Sequence, residues 1–309
     1  MTSSILTSSI PQTGGMLELR RILWPTDFSE FSDIAFRYAL SLAQRYRAKL
    51  FAQHVVELWR HPEADFAPAR YYEEFCERLL QNGENELQRF LKNRADNEIQ
   101  RERVVRQGVA ADSILALAEA QKVDLIVMGT HGRRGFDRLM VGSVTERVLR
   151  KASCPVLAVH KPSPDFLKSR EQHDPVHLNR ILFCTDFSEN SERALGHAIS
   201  LTAGYNAELT LLHVLEDIPG WSSIDEATAA AMQQLDELIP PQRSQSGKIK
   251  TMVRTGSPYQ QIIQLALEAR IDIVIMAVRG RGALNLAVFG STTYRVIQLG
   301  PCPVLAVHF

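Results

Sequence analysis

A chain of 309 residues leaves room for two domains at about 150 residues each, and 45% apolar against 23% charged residues is enough core-forming material to fold both. Its 35 basic residues balance its 35 acidic ones, which excludes an overall charge bias toward nucleic acid or an anionic membrane. No apolar run approaches the ~20 residues of a bilayer crossing, and the opening MTSSILTSSIPQTGG lacks the basic start and unbroken apolar run of a secretory signal, so a cytoplasmic location is expected.

Residues 1–18 carry no periodic pattern and read as a disordered tail, with Met16 as an alternative start. Short apolar runs then alternate with longer amphipathic stretches. This predicts strands over 21–25, 48–56, 102–107, 124–129 and 154–160, with helices between them, the signature of an α/β fold built on a parallel sheet. Asp33 to Arg47 has a helical stripe of Ile34, Ala35, Tyr38, Ala39 and Leu42, and Ser113 to Ala120 repeats the pattern. Between Glu57 and Asn97, Pro62 and Pro68 mark a loop, and Tyr71 to Leu91 reads as a helix. Residues 161–179 are charged and lack an apolar period, as a linker would.

From residue 180 the pattern begins again. Arg21 to Glu30 (RILWPTDFSE) recurs as Arg180 to Glu189 (RILFCTDFSE), identical at eight of ten positions. Ala48 and Leu50 recur as Ala207 and Leu209, and His54-Val55 as His213-Val214. Beyond an 11-residue excess in the first copy, Asp124 to Met128 matches Asp272 to Met276, and Cys154 to His160 (CPVLAVH) matches Cys302 to His308 throughout. The chain is therefore two copies of one domain, 19–160 and 180–309. The cysteines Cys76, Cys154, Cys184 and Cys302 form no CxxC pair, so neither a disulfide framework nor a structural zinc is expected.

In an open parallel sheet, ligands bind beyond the carboxyl ends of the strands where strand order reverses. Two such ends stand out: Pro25-Thr26-Asp27-Phe28-Ser29, and Met128-Gly129-x2-Gly132-x9-Gly142-Ser143-Val144-Thr145. Glycines let backbone approach an anion, and a helix opening at Ser143 offers N–H groups to it. The plainer reading is that the glycines serve tight turns and Ser143 is an N-cap. Asp27 with Glu30, and Asp186 with Glu189, likewise fit capping boxes. His54 and His213 read as structural histidines. His131 lies beside Arg133 and Arg134 in the loop, while His160 and His308 end the last strands with no partner at metal spacing. There is no Walker A, GxGxxG, GxSxG or HExxH, and no evident general base.

The repeated DFSE, the Gly129-x2-Gly132-x9-Gly142-Ser143 spacing and the terminal CPVLAV strands together resemble the universal stress protein family in its tandem two-domain form. The resemblance implies two similar five-stranded parallel sheets of order 3-2-1-4-5 with helices on both faces. It implies an adenine nucleotide as partner and ATP as cofactor, with or without Mg2+, in a regulatory or stress-response role with little or no turnover. Carried over residue by residue, Pro25, Thr26 and Asp27 would line the nucleoside and the Val55 backbone would meet the adenine. Met128, Gly129, Gly132, Gly142, Ser143, Val144 and Thr145 would hold ribose and phosphates. Thr185, Asp186, Val214, Met276, Ala277, Gly280, Gly290, Ser291, Thr292 and Thr293 would form a weaker second site, weakened by a methyl group at Ala277 where backbone should approach ligand. A nucleotide-independent scaffold of the same fold and a slow ATPase stay open as alternatives. An apolar last strand at the edge of each sheet would need covering, which predicts that the two last strands pair and make an intrachain pseudo-dimer, a homodimer remaining open as well. No metal ligand set, nucleic-acid partner or membrane contact is expected.

Overall fold

A computed structural model describes residues 18–57, 69–92, 94, 99–132, 140–160, 176–216, 223–239, 248–278 and 290–309. In chain order the first copy forms β1 (Arg21–Thr26), α1 (Glu30–Tyr46), β2 (Lys49–Val56), α2 (Ala69–Lys92), β3 (Arg101–Gln107), α3 (Ala110–Ala120), β4 (Leu125–Gly129), α4 (Ser143–Lys151) and β5 (Val156–Val159). The second forms β6 (Arg180–Cys184), α5 (Glu189–Tyr205), β7 (Glu208–Leu215), α6 (Ile224–Glu237), β8 (Ile249–Thr255), α7 (Pro258–Glu268), β9 (Ile273–Ala277), α8 (Ser291–Leu299) and β10 (Val304–Val307). The two copies differ most where expected, α2 having 24 residues and its counterpart α6 only 14.

Both copies have the strand order 3-2-1-4-5, and among the described residues they share one sheet of ten strands, β3-β2-β1-β4-β5-β10-β9-β6-β7-β8. Every pairing is parallel except the joint, where β10 runs antiparallel to β5 with Leu305 opposite Leu157. The expected pairing of the last strands is thus present. Alternate strand residues feed two layers. Ile22 and Trp24 join α1, α2, α5 and α6 on one face, and Leu23 joins α3, α4, α7 and α8 on the other. Cys154, Cys184 and Cys302 are buried in the second layer as small hydrophobes.

Two carboxylates pin the strand starts. Asp124 Oδ2 accepts from the N–H groups of Arg20 and Arg21 at 2.8 Å each, and Asp272 Oδ2 accepts from Asn179 and Arg180 at 2.7 and 2.9 Å. The end of the expected linker is also part of the core rather than a tether. Val176 and Leu178 are buried, and the Val176 carbonyl accepts from the Ser41 hydroxyl of α1. Residues 161–175, like the tail up to residue 17, lie outside the described residues.

Asp272 is buried, so removing its side chain strands two N–H groups in a poorly hydrated place. Asp272→Ala is expected to lower stability by about 2 to 4 kcal/mol, and the more exposed Asp124→Ala by less. Denaturant midpoints of the two variants check the order.

Candidate functional site

The first site is assembled where β1 and β4 end side by side. The His54 ring donates from Nδ1 to the Thr26 carbonyl at 2.9 Å, and a carbonyl only accepts, so Nδ1 carries the proton. Phe28 follows in a left-handed conformation, φ 60°, with its ring centroid 4.6 Å from the His54 ring. The buried Thr26 hydroxyl accepts from the Phe28 N–H at 2.9 Å and shares a hydrogen bond with the Ser32 hydroxyl at 3.0 Å. Asp27 Oδ1 accepts from the Ser29 N–H at 3.0 Å.

The capping-box reading of Asp27 is corrected here. The N-cap of α1 is Ser29, whose hydroxyl accepts from Ser32, and the same arrangement puts Ser188 at the start of α5. Asp27 instead closes the turn ahead of the cap with one oxygen, and its other oxygen faces the glycine loop: a Cβ on Gly132 would lie 2.8 Å from Asp27 Oδ2.

That loop is tied down at its root. The Thr130 N–H donates to Val159 at 2.9 Å, Gly142 donates back to Thr130 at 2.7 Å, and the Thr145 hydroxyl donates to Gly129 at 2.8 Å. A Cβ on Gly142 would meet the Thr130 carbonyl at 3.3 Å and approach the Gly132 nitrogen at 3.9 Å. Asp27, Gly132 and Gly142 therefore meet across the two strand ends. Gly142, not Ser143, is the N-cap of α4, and no side chain caps that end. The first-turn N–H groups of Ser143, Val144 and Thr145 have no partner within the helix. Residues 133–139, with Arg133 and Arg134, lie outside the described residues.

Other expected residues contribute differently. Pro25 is buried in β1, Met128 sends its side chain into the second layer, with α3 and α4, and Thr145 is buried on its bond to Gly129, so these offer backbone or support. Val55 is half-buried at the end of β2, beyond the last β1 pair, Thr26 with His54. Gly83 escaped the sequence reading. It sits within α2, where glycine is costly, because a Cβ there would lie 2.9 Å from His54 Cδ2.

The second copy repeats the construction. His213 Nδ1 donates to the Thr185 carbonyl at 2.8 Å beside a left-handed Phe187, and Asp186 Oδ1 accepts from Ser188. Val214 is half-buried at the end of β7 and Met276 is buried. Gly290 donates to Val278, Thr293 to the Ala277 carbonyl, and Ser291 and Thr292 open α8. Gly280, Arg279 and Arg281 lie outside the described residues.

The sequence profile of the Universal stress protein family matches residues 18–160 and 177–308. The chain belongs to the universal stress protein family. A universal stress protein of Mycolicibacterium smegmatis is 26% identical over 93% of this chain and 96% of its own length, so the tandem form is shared. One from Methanocaldococcus jannaschii is 34% identical over 52% of this chain and 92% of its own. The crystal structure of a universal stress protein from Archaeoglobus fulgidus superposes with a TM-score of 0.71, covering 94% of this chain and 99% of its own at 23% identity, which speaks for the fold alone.

In this universal stress protein the reason for Gly129 is not the one expected. Gly129 is not among the residues with positive φ, and a Cβ there would strike the Phe31 carbonyl carbon, oxygen and Cβ at 2.8 to 2.9 Å. The glycine makes room for the first turn of α1, and the Phe31 ring packs, tilted, against His131 of the loop with centroids 4.9 Å apart. In the second copy Asn190 and Ala277 replace Phe31 and Gly129. A cavity of about 240 Å³ remains there, lined by Asn190, Val278, Val307, His308 and Ser153 among others. Comparing the copies one residue past DFSE would have exposed this paired change.

Gly129→Ala is expected to cost about 1 to 3 kcal/mol of stability in the ligand-free protein through overpacking, whereas Ala277→Gly should cost no more than about 1 kcal/mol. Thermal unfolding without nucleotide compares them.

His160, after β5, has both ring nitrogens buried. Burial, with a smaller contribution from His131, pushes its pKa down to about 4. Between there and the ordinary value near 6.5 the unfolded chain binds a proton that the folded chain does not, so stability should fall as pH drops from about 6.5 to about 4, by up to about 3 kcal/mol from this residue. Denaturation curves across that range should flatten in His160→Met.

Proposed function

We propose that the first copy binds ATP through preorganised backbone, as a regulatory ligand with little or no turnover. The observation that carries this reading is the meeting of the Asp27 carboxylate, the Gly132 and Gly142 backbone and the uncapped N-terminus of α4 over adjacent strand ends. The cradle suits a phosphate chain because α4 presents N–H groups and the positive end of its dipole, and because glycine at 132 and 142 lets the loop backbone close up against Asp27 and Thr130. Asp27 suits a ribose hydroxyl, since one carboxylate oxygen is held by Ser29 and the other faces the loop. Val55 at the end of β2 suits a backbone contact with the base.

Binding here needs no proton transfer; His54 spends Nδ1 on holding Thr26, and His131 of the loop shares a hydrogen bond with the Thr130 hydroxyl through Nδ1. Magnesium, where it accompanies the triphosphate, supplies charge neutralisation. The second copy is the weaker site. The inequality rests on Phe31 packing against His131 of the first loop and on the longer α2 packed against His54, rather than on a methyl group meeting ligand.

Denaturing the purified protein and separating the supernatant by ion exchange should release adenine nucleotide, and calorimetry should find one tight site. Asp27→Ala should weaken ATP by about 1.5 to 3 kcal/mol while costing only about 1 kcal/mol of stability. Equal ATP affinity in a folded Asp27→Ala variant would return the carboxylate to its turn, and two equal sites in the wild type would remove the inequality.

A further inference from the structure

The end of the second copy reaches the helix that heads the first copy's site. His308, directly after β10, donates from Nε2 to the Leu149 carbonyl at 2.7 Å, across 159 residues of chain. Leu149 lies in the last turn of α4, where carbonyls outrun the helix's own N–H groups. Its i+4 partner would be Ser153, outside the helix, so the imidazole supplies the donor the helix lacks. The nine residues of α4 are short enough, at 1.5 Å per residue, that both ends act on one rigid body. At its head the helix is fixed by Gly142 to Thr130 and Thr145 to Gly129, both bonds from the first copy, and at its tail by a residue of the second.

The reciprocal contact is of a different kind. His160 holds the matching position beside Gly300, at the C-cap of α8, with neither ring nitrogen in a hydrogen bond of normal geometry to a described group. His160 lies against the Gly300 backbone of the second copy, whereas the bond of His308 to Leu149 is short and well formed.

We propose that His308 is a positioning residue of the first copy's site, holding α4 so that the Ser143, Val144 and Thr145 N–H groups stay aimed at a bound phosphate chain. This rests on the nucleotide reading above. A residue that sets the helix, rather than the general stability of the fold, should affect ligands in proportion to their phosphates.

The experiment uses the full chain as wild type, His308→Ala and His308→Gln, whose amide nitrogen can reach the place of Nε2. Each is titrated with ATP and with adenosine, and amide hydrogen exchange is followed along α4. His308→Ala should weaken ATP about threefold to tenfold, the range of one hydrogen bond, with adenosine changed by less than about twofold on the same scale. His308→Gln should recover most of the ATP affinity, and α4 amides should exchange faster in the alanine variant and slow again in the glutamine one. ATP affinity unchanged in His308→Ala, or ATP and adenosine weakened alike, overturns the proposal. A wild type that takes no ATP defeats the nucleotide reading instead. The exchange data then judge the brace by themselves, and unchanged exchange in α4 overturns it.

Discussion

The antiparallel pairing of β5 with β10 is the constraint on which the rest of this molecule depends. VLAV is wholly apolar in both copies and completely buried in the joined sheet. Left at an edge, either strand would offer unpaired backbone along an apolar surface. Pairing them turns two five-stranded units into one sheet whose outer edges are β3 and β8, partly exposed and charged. It also brings α1 and α5 together. Arg45 lies 4.4 Å over the Tyr205 ring, and Tyr46 is packed so closely that a Cβ on Gly204 would lie 2.7 Å from its hydroxyl. Burial pushes the Tyr46 pKa up to about 12.

The same pairing decides where the sites lie. Because the two last strands run in opposite directions, the carboxyl ends of the two half-sheets face opposite ways, and each last strand ends beside the other copy's fourth-strand helix. Val307 accepts from Val278 at the root of the second loop, and the next residue, His308, holds α4. Two consecutive residues thus contact the root of the second loop and the tail of the helix that heads the first site. Two separate domains on a flexible tether could not do this, and the buried Val176 and Leu178 show that the connection is packed where it enters the second copy.

Glycine acts here mainly by close approach. Gly129 and Gly132 are set by the Phe31 backbone and the Asp27 carboxylate, not by left-handed geometry. The left-handed positions at the first turns fall instead to Phe28 and Phe187, a strained choice for a bulky residue. Each phenylalanine ring packs on a histidine that also bonds the carbonyl of the threonine two residues earlier, so the turn is held by contacts that a glycine would lack. The paired change of Phe31 and Gly129 to Asn190 and Ala277 is one packing solution exchanged for another.

Much of this was legible in the sequence because it is periodic or repeated. Alternation of apolar runs fixes strands to within a few residues, the repeat with its offset fixes two copies, and the apolar identity of Cys154 to His160 with Cys302 to His308 requires a covered edge. The gathering of Asp27 with Gly132 and Gly142 also follows from strand ends and strand order. Tertiary structure alone decided what needs a distance between residues far apart in the chain. Ser29 rather than Asp27 caps α1 because the Asp27 carboxylate is engaged in the turn ahead of it, and Gly129 is required by a helix that lies 98 positions earlier. Gly83 is required by His54, and His308 serves a helix in the other copy. Periodicity records which face a residue presents to the core; it does not record which atom lies opposite, and these assignments depend on that.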